Sequence, residues 1–230
     1  MKKAILILIT IFTVMTQAQE IKQIPLINVS GEGKVKITPD QASISISQET
    51  KGAKATDVKK ENDQKIEAIL KVIKKMNIAT SDFATQRVAL NPNYNYDKKK
   101  QEYVASQTIV ILLKDLSKYD LLMDALVDAG VNKIDNVEFK SSKLASLQSE
   151  ARKLAVKDAK LKAEDFVSVL GQKVGKAITI SDNSQGYTPQ PVMYASMKNM
   201  SMDSESAPRE TLAAGEIEVV VNINVSFLLE

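Results

Sequence analysis

Apolar and polar residues alternate with a period of two over residues 26–38 and again over residues 215–230. This alternation is typical of a strand with one buried face. In the first segment, one parity holds apolar residues and glycines: Ile27, Val29, Gly31, Gly33, Val35 and Ile37. In the second, one parity is apolar throughout: Ile217, Val219, Val221, Ile223, Val225 and Phe227. Both segments are therefore predicted to be strands.

A turn follows the first strand at residues 38–41. Pro39 fixes the backbone at the second position of this turn, and Asp40 can bond its own backbone. Apolar residues and serines then alternate over residues 42–47, which predicts a second strand. Because a short turn joins the two strands, we expect them to form a hairpin.

Gly31 and Gly33 form a Gly-x-Gly, a pattern that also occurs in phosphate-binding loops. Such loops place their glycines between a strand and a helix, so that the helix N-terminus faces the anion. Here the glycines lie inside a strand and a second strand follows, which argues against a phosphate loop. We interpret them as positions where a helix or another backbone comes close, or as a bulge.

A period near 3.6 residues predicts helices over three segments, residues 55–77, 116–129 and 142–170. In the longest of them, alanines recur every fourth residue: Ala151, Ala155, Ala159 and Ala163. A seam of small side chains allows a helix to lie close against a sheet or another helix. We therefore expect this helix to lie centrally on the sheet.

Further strands are predicted over residues 83–90, 103–114, 131–140 and 174–182. Residues 91–101 are polar and are predicted to form a loop or hairpin tip. Tyr94 and Tyr96 of this stretch either mark a contact surface or cover the end of the sheet. Together these elements predict one α+β domain, in which an antiparallel or mixed sheet packs against about three helices.

The N-terminal residues have the pattern of a cleavable secretory signal. Two lysines precede an apolar run over residues 4–15, and small residues at positions 16 and 18 suit a cut after Ala18. The run is shorter than the roughly 20 residues of a membrane span; an uncleaved anchor is the alternative. Residues 1–18 are therefore predicted to be a signal peptide, residues 19–230 the domain, and the protein periplasmic.

Charge and residue types then limit the chemistry. Without Lys2 and Lys3 the chain has 29 basic and 28 acidic side chains, with no basic block, which argues against a nucleic acid partner. The sequence has no His and no Cys, so imidazole and thiolate catalysis and their metal sites are excluded. We assign no catalytic, cofactor-binding or metal-ligating residue, predict no cofactor, and expect a non-enzyme.

Two weaker candidates remain. Asp124 and Asp128 are neighbours on one helix face and could form a two-carboxylate site; the alternative is an exposed polar face. Residues 183–214 are predicted to be a flexible loop rich in Met, Ser and Pro. Its thioethers could bind Cu(I) or pack on a neighbouring subunit: Met193, Met197, Met200 and Met202.

Four stretches, in order along the chain, resemble the SIMPL-domain family (DUF541), which includes YggE-like and 26-kDa periplasmic antigen-like proteins. They are VSGEGKVKITPDQASISI (residues 29–46), residues 90–139, QSEARKLAVKDAKLKAEDFVSVLGQKVGK (residues 148–176) and GEIEVVVNINVSFLL (residues 215–229). The resemblance implies an exported α+β protein of the cell envelope that forms homo-oligomers and is linked to stress, including oxidative stress. It implies no established catalytic residues.

Three functional hypotheses follow. The first is a non-enzymatic envelope protein that self-assembles, with possible membrane association. The second is a periplasmic module that binds a small-molecule ligand or a metal, through a pocket beside the glycines or through the Met-rich loop. The third is a hydrolase that uses carboxylates such as Asp124 and Asp128.

Overall fold

The structure is a computed structural model that describes residues 24–97, 99–183, 190–192 and 212–230. Three α-helices are present in this part of the chain: α1 (Ala55–Lys75), α2 (Tyr119–Asp128) and α3 (Leu144–Ser168). The first four strands are β1 (Leu26–Ile37), β2 (Gln41–Gly52), β3 (Phe83–Asn95) and β4 (Lys100–Leu113). The remaining strands are β5 (Lys133–Lys140), β6 (Val174–Asp182), β7 (Gln190–Val192) and β8 (Glu216–Leu229).

The strands form two antiparallel sheets, so the predicted α+β class is confirmed. In sheet A, β8 lies between β1 on one side and β6 on the other, and β7 pairs with the first residues of β8. Sheet B has the strand order β3-β4-β2-β5. Helix α3 packs on sheet A, while α1 and α2 pack on sheet B. The helices are therefore divided between two sheets, and the long one does not lie at the centre of a single sheet.

The predicted β1–β2 hairpin is wrong, because the two strands lie in different sheets. β1 pairs along its whole length with β8, from Leu26 opposite Leu228 to Ile37 opposite Ile217. Both strands have an unbroken apolar or glycine parity, so this pairing builds one continuous apolar face, which α3 covers. Residues 38–40 lead from one sheet to the other, and a turn signal alone does not distinguish such a crossing from a hairpin.

This topology divides the described chain into two halves. Residues 41–140 build all of sheet B with α1 and α2, and we call them the inserted half. β1, α3 and β6–β8 form the enclosing half. The two crossings between the halves are joined at Asp40, which accepts hydrogen bonds from Ser142 N at 2.8 Å and Ser142 Oγ at 2.5 Å.

The inserted half has a core of branched aliphatic side chains. Its sheet contributes residues that are almost completely buried: Ile44, Ile46, Ile109 and Ile111. Ile69 and Ile73 of α1, with Leu122 and Leu126 of α2, cover them. Every fourth or third residue of α1 is buried, which explains why the sequence predicted this helix from its periodicity.

The enclosing half has a core in which α3 contributes small residues and β8 contributes larger apolar ones, including Ile223 and Phe227. The predicted alanine seam is confirmed, since Ala151, Ala155, Ala159 and Ala163 are completely buried against sheet A. A Cβ atom on Gly31 would lie 2.0 Å from the Ala155 carbonyl oxygen, and one on Gly33 would lie 1.9 Å from that of Ala151. The interpretation of the glycines as a close approach of a helix is therefore confirmed.

The stretch 91–101 forms the tip of the β3–β4 hairpin, which confirms one of the two predicted alternatives, and it is not a loop over most of its length. β3 continues to Asn95 and β4 begins at Lys100, so only residues 96–99 connect the strands. Pro92 lies within β3, opposite Tyr103. Proline is tolerated there because β3 is an edge strand and does not need a hydrogen-bond donor on its outer side.

Candidate functional site

The candidate site lies on the face of sheet B that points away from α1 and α2. β2 buries apolar residues on its helix side and presents serines on the other, as its alternating sequence requires. A cavity of about 550 Å³ lies on this face. Its lining is polar and comes from all four strands of sheet B: Ser45, Ser47, Glu49, Gln86, Arg87, Ser106, Thr108, Lys133 and Asp135.

Strand register brings four of these residues into one row across the sheet. Ser47 of β2 lies opposite Thr108 of β4 and, on its other side, opposite Lys133 of β5. Thr108 in turn lies opposite Arg87 of β3. The row therefore reads cation, hydroxyl, hydroxyl, cation.

An irregularity in strand pairing flanks the row on each side. In β3, the register shifts between Thr85 and Arg87, which leaves Gln86 as an extra residue. In β5, Ser45 and Ile46 of β2 pair with Asn136 and Ile134, which leaves Asp135 as an extra residue. Bulges of this kind bend a strand and redirect side chains, and both extra residues line the cavity.

Ser47 is the buried residue of the site, and it contacts Asp135, which is exposed. Ser47 is only 5% exposed, its hydroxyl donates to Asp135 Oδ2 at 2.5 Å, and its oxygen lies 2.8 Å from Thr108 Oγ1. Lys133 Nζ lies 2.9 Å from Asp135 Oδ1. The Ser47 hydroxyl and the Lys133 ammonium both lower the pKa of Asp135, and the hydrogen bond from Lys133 to Asp135 raises the pKa of Lys133.

The charges around the cavity are not equally matched. Asp135 is paired with Lys133, and Glu49 is paired with Lys51 at 2.9 Å. Arg87 makes no ion pair with any described residue. The guanidinium is therefore the charged group of the lining that remains available for a further partner.

This geometry suits binding better than catalysis. A Ser–carboxylate contact at 2.5 Å is within reach of a nucleophile–base pair. A carboxylate with a lowered pKa is a weak base, however, and Ser47 is almost fully buried. The polar row instead offers hydrogen-bonding groups and one guanidinium to a polar molecule.

The outer edge of β3 is a second candidate surface. β3 ends the strand order of sheet B and has no further strand beside it in the described ranges. Val88, Leu90 and Tyr94 share one parity of the strand and are 70%, 40% and 49% exposed. Tyr96 follows at the hairpin end, 82% exposed, with its ring edge-to-face against Tyr94 at a centroid distance of 5.0 Å.

The sequence pattern of the family named SIMPL, described as a protein of unknown function (DUF541), matches residues 27–227. The chain belongs to the SIMPL family. It is 26% identical over 220 residues to the "Uncharacterized protein YggE" of Escherichia coli K12, which covers 93% of this chain and 87% of the relative. It is also 26% identical over 211 residues to the "26 kDa periplasmic immunogenic protein" of Brucella melitensis, covering 87% of this chain and 83% of the relative.

The names of these SIMPL relatives add a compartment but no reaction. The Brucella protein is named as periplasmic, and neither name describes an enzyme. In the part of this SIMPL chain that the structure describes, no helix is long and apolar enough to cross a membrane.

Most residues singled out in the SIMPL sequence lie away from the cavity. Asp124 and Asp128 are exposed on α2, and no group of three or more acidic side chains that could hold a metal occurs among the described residues. Met193, Met197, Met200 and Met202 lie outside the described residues. Tyr94 and Tyr96 are both exposed, so their rings are accessible to a partner.

Among the described residues, the backbone of α3 fills the space beside Gly31 and Gly33 where a pocket was considered. The cavity residues Arg87, Thr108 and Asp135 were not found from the sequence. The only signal was the alternation of serines in β2, which marks a polar outer face but not the strands that border it.

Proposed function

We propose that this SIMPL protein is an exported, non-enzymatic component of the cell envelope that self-assembles into homo-oligomers in the periplasm and contributes to stress tolerance, including oxidative stress. The signal-like residues 1–18 and the periplasmic name of the Brucella relative support export. The open edge of β3 is the observation that carries the proposed self-assembly.

An exposed edge strand offers unpaired backbone groups to a second chain. β3 is 13 residues long, and most of its side chains are exposed on both faces. Val88, Leu90 and Tyr94 add an apolar stripe along one of those faces. Pairing with another copy would satisfy the edge and place the stripes of the two copies side by side, where cross-strand contacts cover part of each.

The edge of β1 shows what a protected edge looks like in the same molecule. Asp158 of α3 accepts a hydrogen bond from the Glu32 backbone N–H at 2.8 Å, and Lys162 Nζ donates to the Ser30 carbonyl oxygen at 3.2 Å. The two side chains are themselves an ion pair at 2.7 Å. Charged side chains therefore occupy backbone groups of β1 that would otherwise bind a strand, which favours β3 as the assembling edge.

The composition of the chain and the state of the cavity carboxylate support a non-enzymatic role. The chain has no His or Cys, and the carboxylate in the cavity has a lowered pKa and a lysine partner.

The stress role comes from the family resemblance. It is tested by comparing the survival under peroxide of a deletion strain with that of the same strain carrying the restored gene. Equal survival of the two strains would contradict it.

Light scattering coupled to size exclusion tests self-assembly on the protein purified after export. We expect a discrete oligomer for the wild type and a monomer for Val88→Lys, because a lysine on an edge strand opposes pairing. Val127→Lys is the matched control, since Val127 is 53% exposed on α2 of the same half. A monomeric wild type, or an oligomer that survives in Val88→Lys, would refute assembly through β3. Mass spectrometry of the same sample checks cleavage after Ala18.

A further inference from the structure

We propose that the cavity on the outer face of sheet B is a binding site for a small hydroxylated carboxylate, a class that includes sugar acids. The proposal goes beyond self-assembly and does not require it. The cavity has a volume of about 550 Å³, which falls within the roughly 300–1,000 Å³ of small-molecule sites. Since the lining is polar, the ligand must be polar as well.

The anionic part of the ligand follows from the charges. Of the charged groups in the lining, Glu49 and Asp135 each already have a lysine partner, at 2.9 Å in both cases. Arg87 makes no ion pair in the described part of the chain. A guanidinium presents a planar fork of donors that matches a carboxylate, so the unmatched group of the site calls for an anion.

The hydroxylated part follows from counting protons in the row. A hydroxyl group has one proton to donate. The Ser47 proton goes to Asp135, so the 2.8 Å contact between Ser47 and Thr108 must use the proton of Thr108. The remaining lone pairs of Thr108 can then only accept, so Thr108 offers an acceptor to a donor on the ligand.

The spacing joins the two requirements. Arg87 and Thr108 are direct cross-strand partners, so their Cα atoms are about 5 Å apart. Both side chains line the same cavity, so one ligand of a few carbons can reach Arg87 with its carboxylate and Thr108 with a neighbouring group. A hydroxyl on those carbons supplies the donor, whereas a fully ionised inorganic anion such as sulfate supplies none.

Three six-carbon compounds test this by isothermal titration calorimetry: gluconate, sorbitol, which lacks the carboxylate, and hexanoate, which lacks the hydroxyls. We expect saturable binding of gluconate and binding of the other two compounds that is weaker by about tenfold or more. Sorbitol loses the charge-assisted hydrogen bonds of the carboxylate, and hexanoate loses the hydrogen bonds of the hydroxyl groups. Sulfate serves as the donor-free anion. Equal affinity for sulfate and gluconate, or no saturable heat with gluconate, would overturn the proposal.

Variants locate the site. Arg87→Gln should weaken gluconate binding about tenfold or more, and Thr108→Val should weaken it while leaving hexanoate unchanged. Arg152→Gln is the matched control, because Arg152 is a half-exposed arginine of the enclosing half that pairs with Asp182. Unchanged binding in Arg87→Gln, or an equal loss in Arg152→Gln, would refute the assignment. The titrations are repeated on Val88→Lys, so that ligand binding and assembly are read separately.

Discussion

In the enclosing half, α3 turns alanines towards the two glycines of β1. In the inserted half, α1 and α2 instead lie on isoleucines and leucines. Both halves place helices on one face of an antiparallel sheet, yet the contact differs in kind. At Gly31 and Gly33 the helix backbone itself approaches the strand, with no room for a Cβ atom. In the inserted half, side chains fill the distance between the layers. The first contact should be damaged by added atoms and the second by removed atoms.

The largest expected effect comes from adding atoms at the glycine contact. Gly33→Val would place a Cβ 1.9 Å from the Ala151 carbonyl oxygen, so α3 must move away from sheet A. We expect a loss of unfolding free energy on the order of 4 kcal/mol or more, at the upper end for single substitutions. Urea unfolding measures it. Glu32→Val, on the opposite face of the same strand, should change it by less than about 0.5 kcal/mol, and similar losses in both variants would contradict the close-contact account.

Removing atoms from the inserted half should have the next largest effect. Ile69 is completely buried under sheet B, and Ile69→Ala should lower the unfolding free energy by about 3 kcal/mol through lost burial and a cavity. Leu154→Ala is the control on α3, since Leu154 is 41% exposed and its loss should have little effect. The comparison of the halves fails if Ile69→Ala is as mild as Leu154→Ala in urea unfolding.

The junction of the two halves should depend on pH. The Ser142 hydroxyl and backbone N–H lower the pKa of Asp40 below its ordinary value of 3.8. A lowered pKa in the folded state means that the ionised carboxylate stabilises the fold at higher pH, and this contribution is lost as pH falls below about 3.8 through the folded value. Asp40→Asn should therefore cost about 1 kcal/mol at pH 7. The difference from wild type in denaturant unfolding should shrink as the pH is lowered towards 3, and a difference that grows instead would refute this role.

The smallest effect on stability is expected at the protected edge. Asp158→Ala removes the acceptor for the Glu32 N–H and the partner of Lys162, a mostly exposed pair that contributes less than about 1 kcal/mol. Its effect on association should be larger, because β1 then offers a free edge. Light scattering should detect larger or less defined particles than the wild type forms. A particle size identical to wild type would show that these side chains do not protect the edge.

The parts of the fold that could be predicted depend on local pattern. Alternation identified β1 and β8, and the spacing of alanines with the two glycines indicated a close helix contact before any pairing was known. Local pattern could not show that the β1–β2 hairpin was wrong. Whether β1 pairs with β2 or with β8 depends on residues that are far apart in the sequence. The extent of β3 was missed for a related reason, since a strand accepts a proline such as Pro92 mainly at an edge, and edges are not known from the sequence.

The cavity could not be predicted from the sequence, because it too depends on pairing between residues that are far apart in the chain. Arg87, Thr108, Ser47 and Lys133 come from four strands, and they form a row only because the registers of three strand pairs agree. Two irregularities, at Gln86 and Asp135, then shape the lining. A shift of one residue in any pair would turn the side chains of that strand to the other face.

The pairing of Leu26 with Leu228 has a consequence for the order in which the molecule folds. A chain that crosses a membrane N-terminus first delivers β1 at the start and its partner β8 at the end. Residues 41–140 hold every strand of sheet B, so we expect that half to acquire protected amides first in pulsed hydrogen exchange. β1 and α3 would wait for the last segment to arrive, and until then β1 lacks the strand that pairs with it along its whole length.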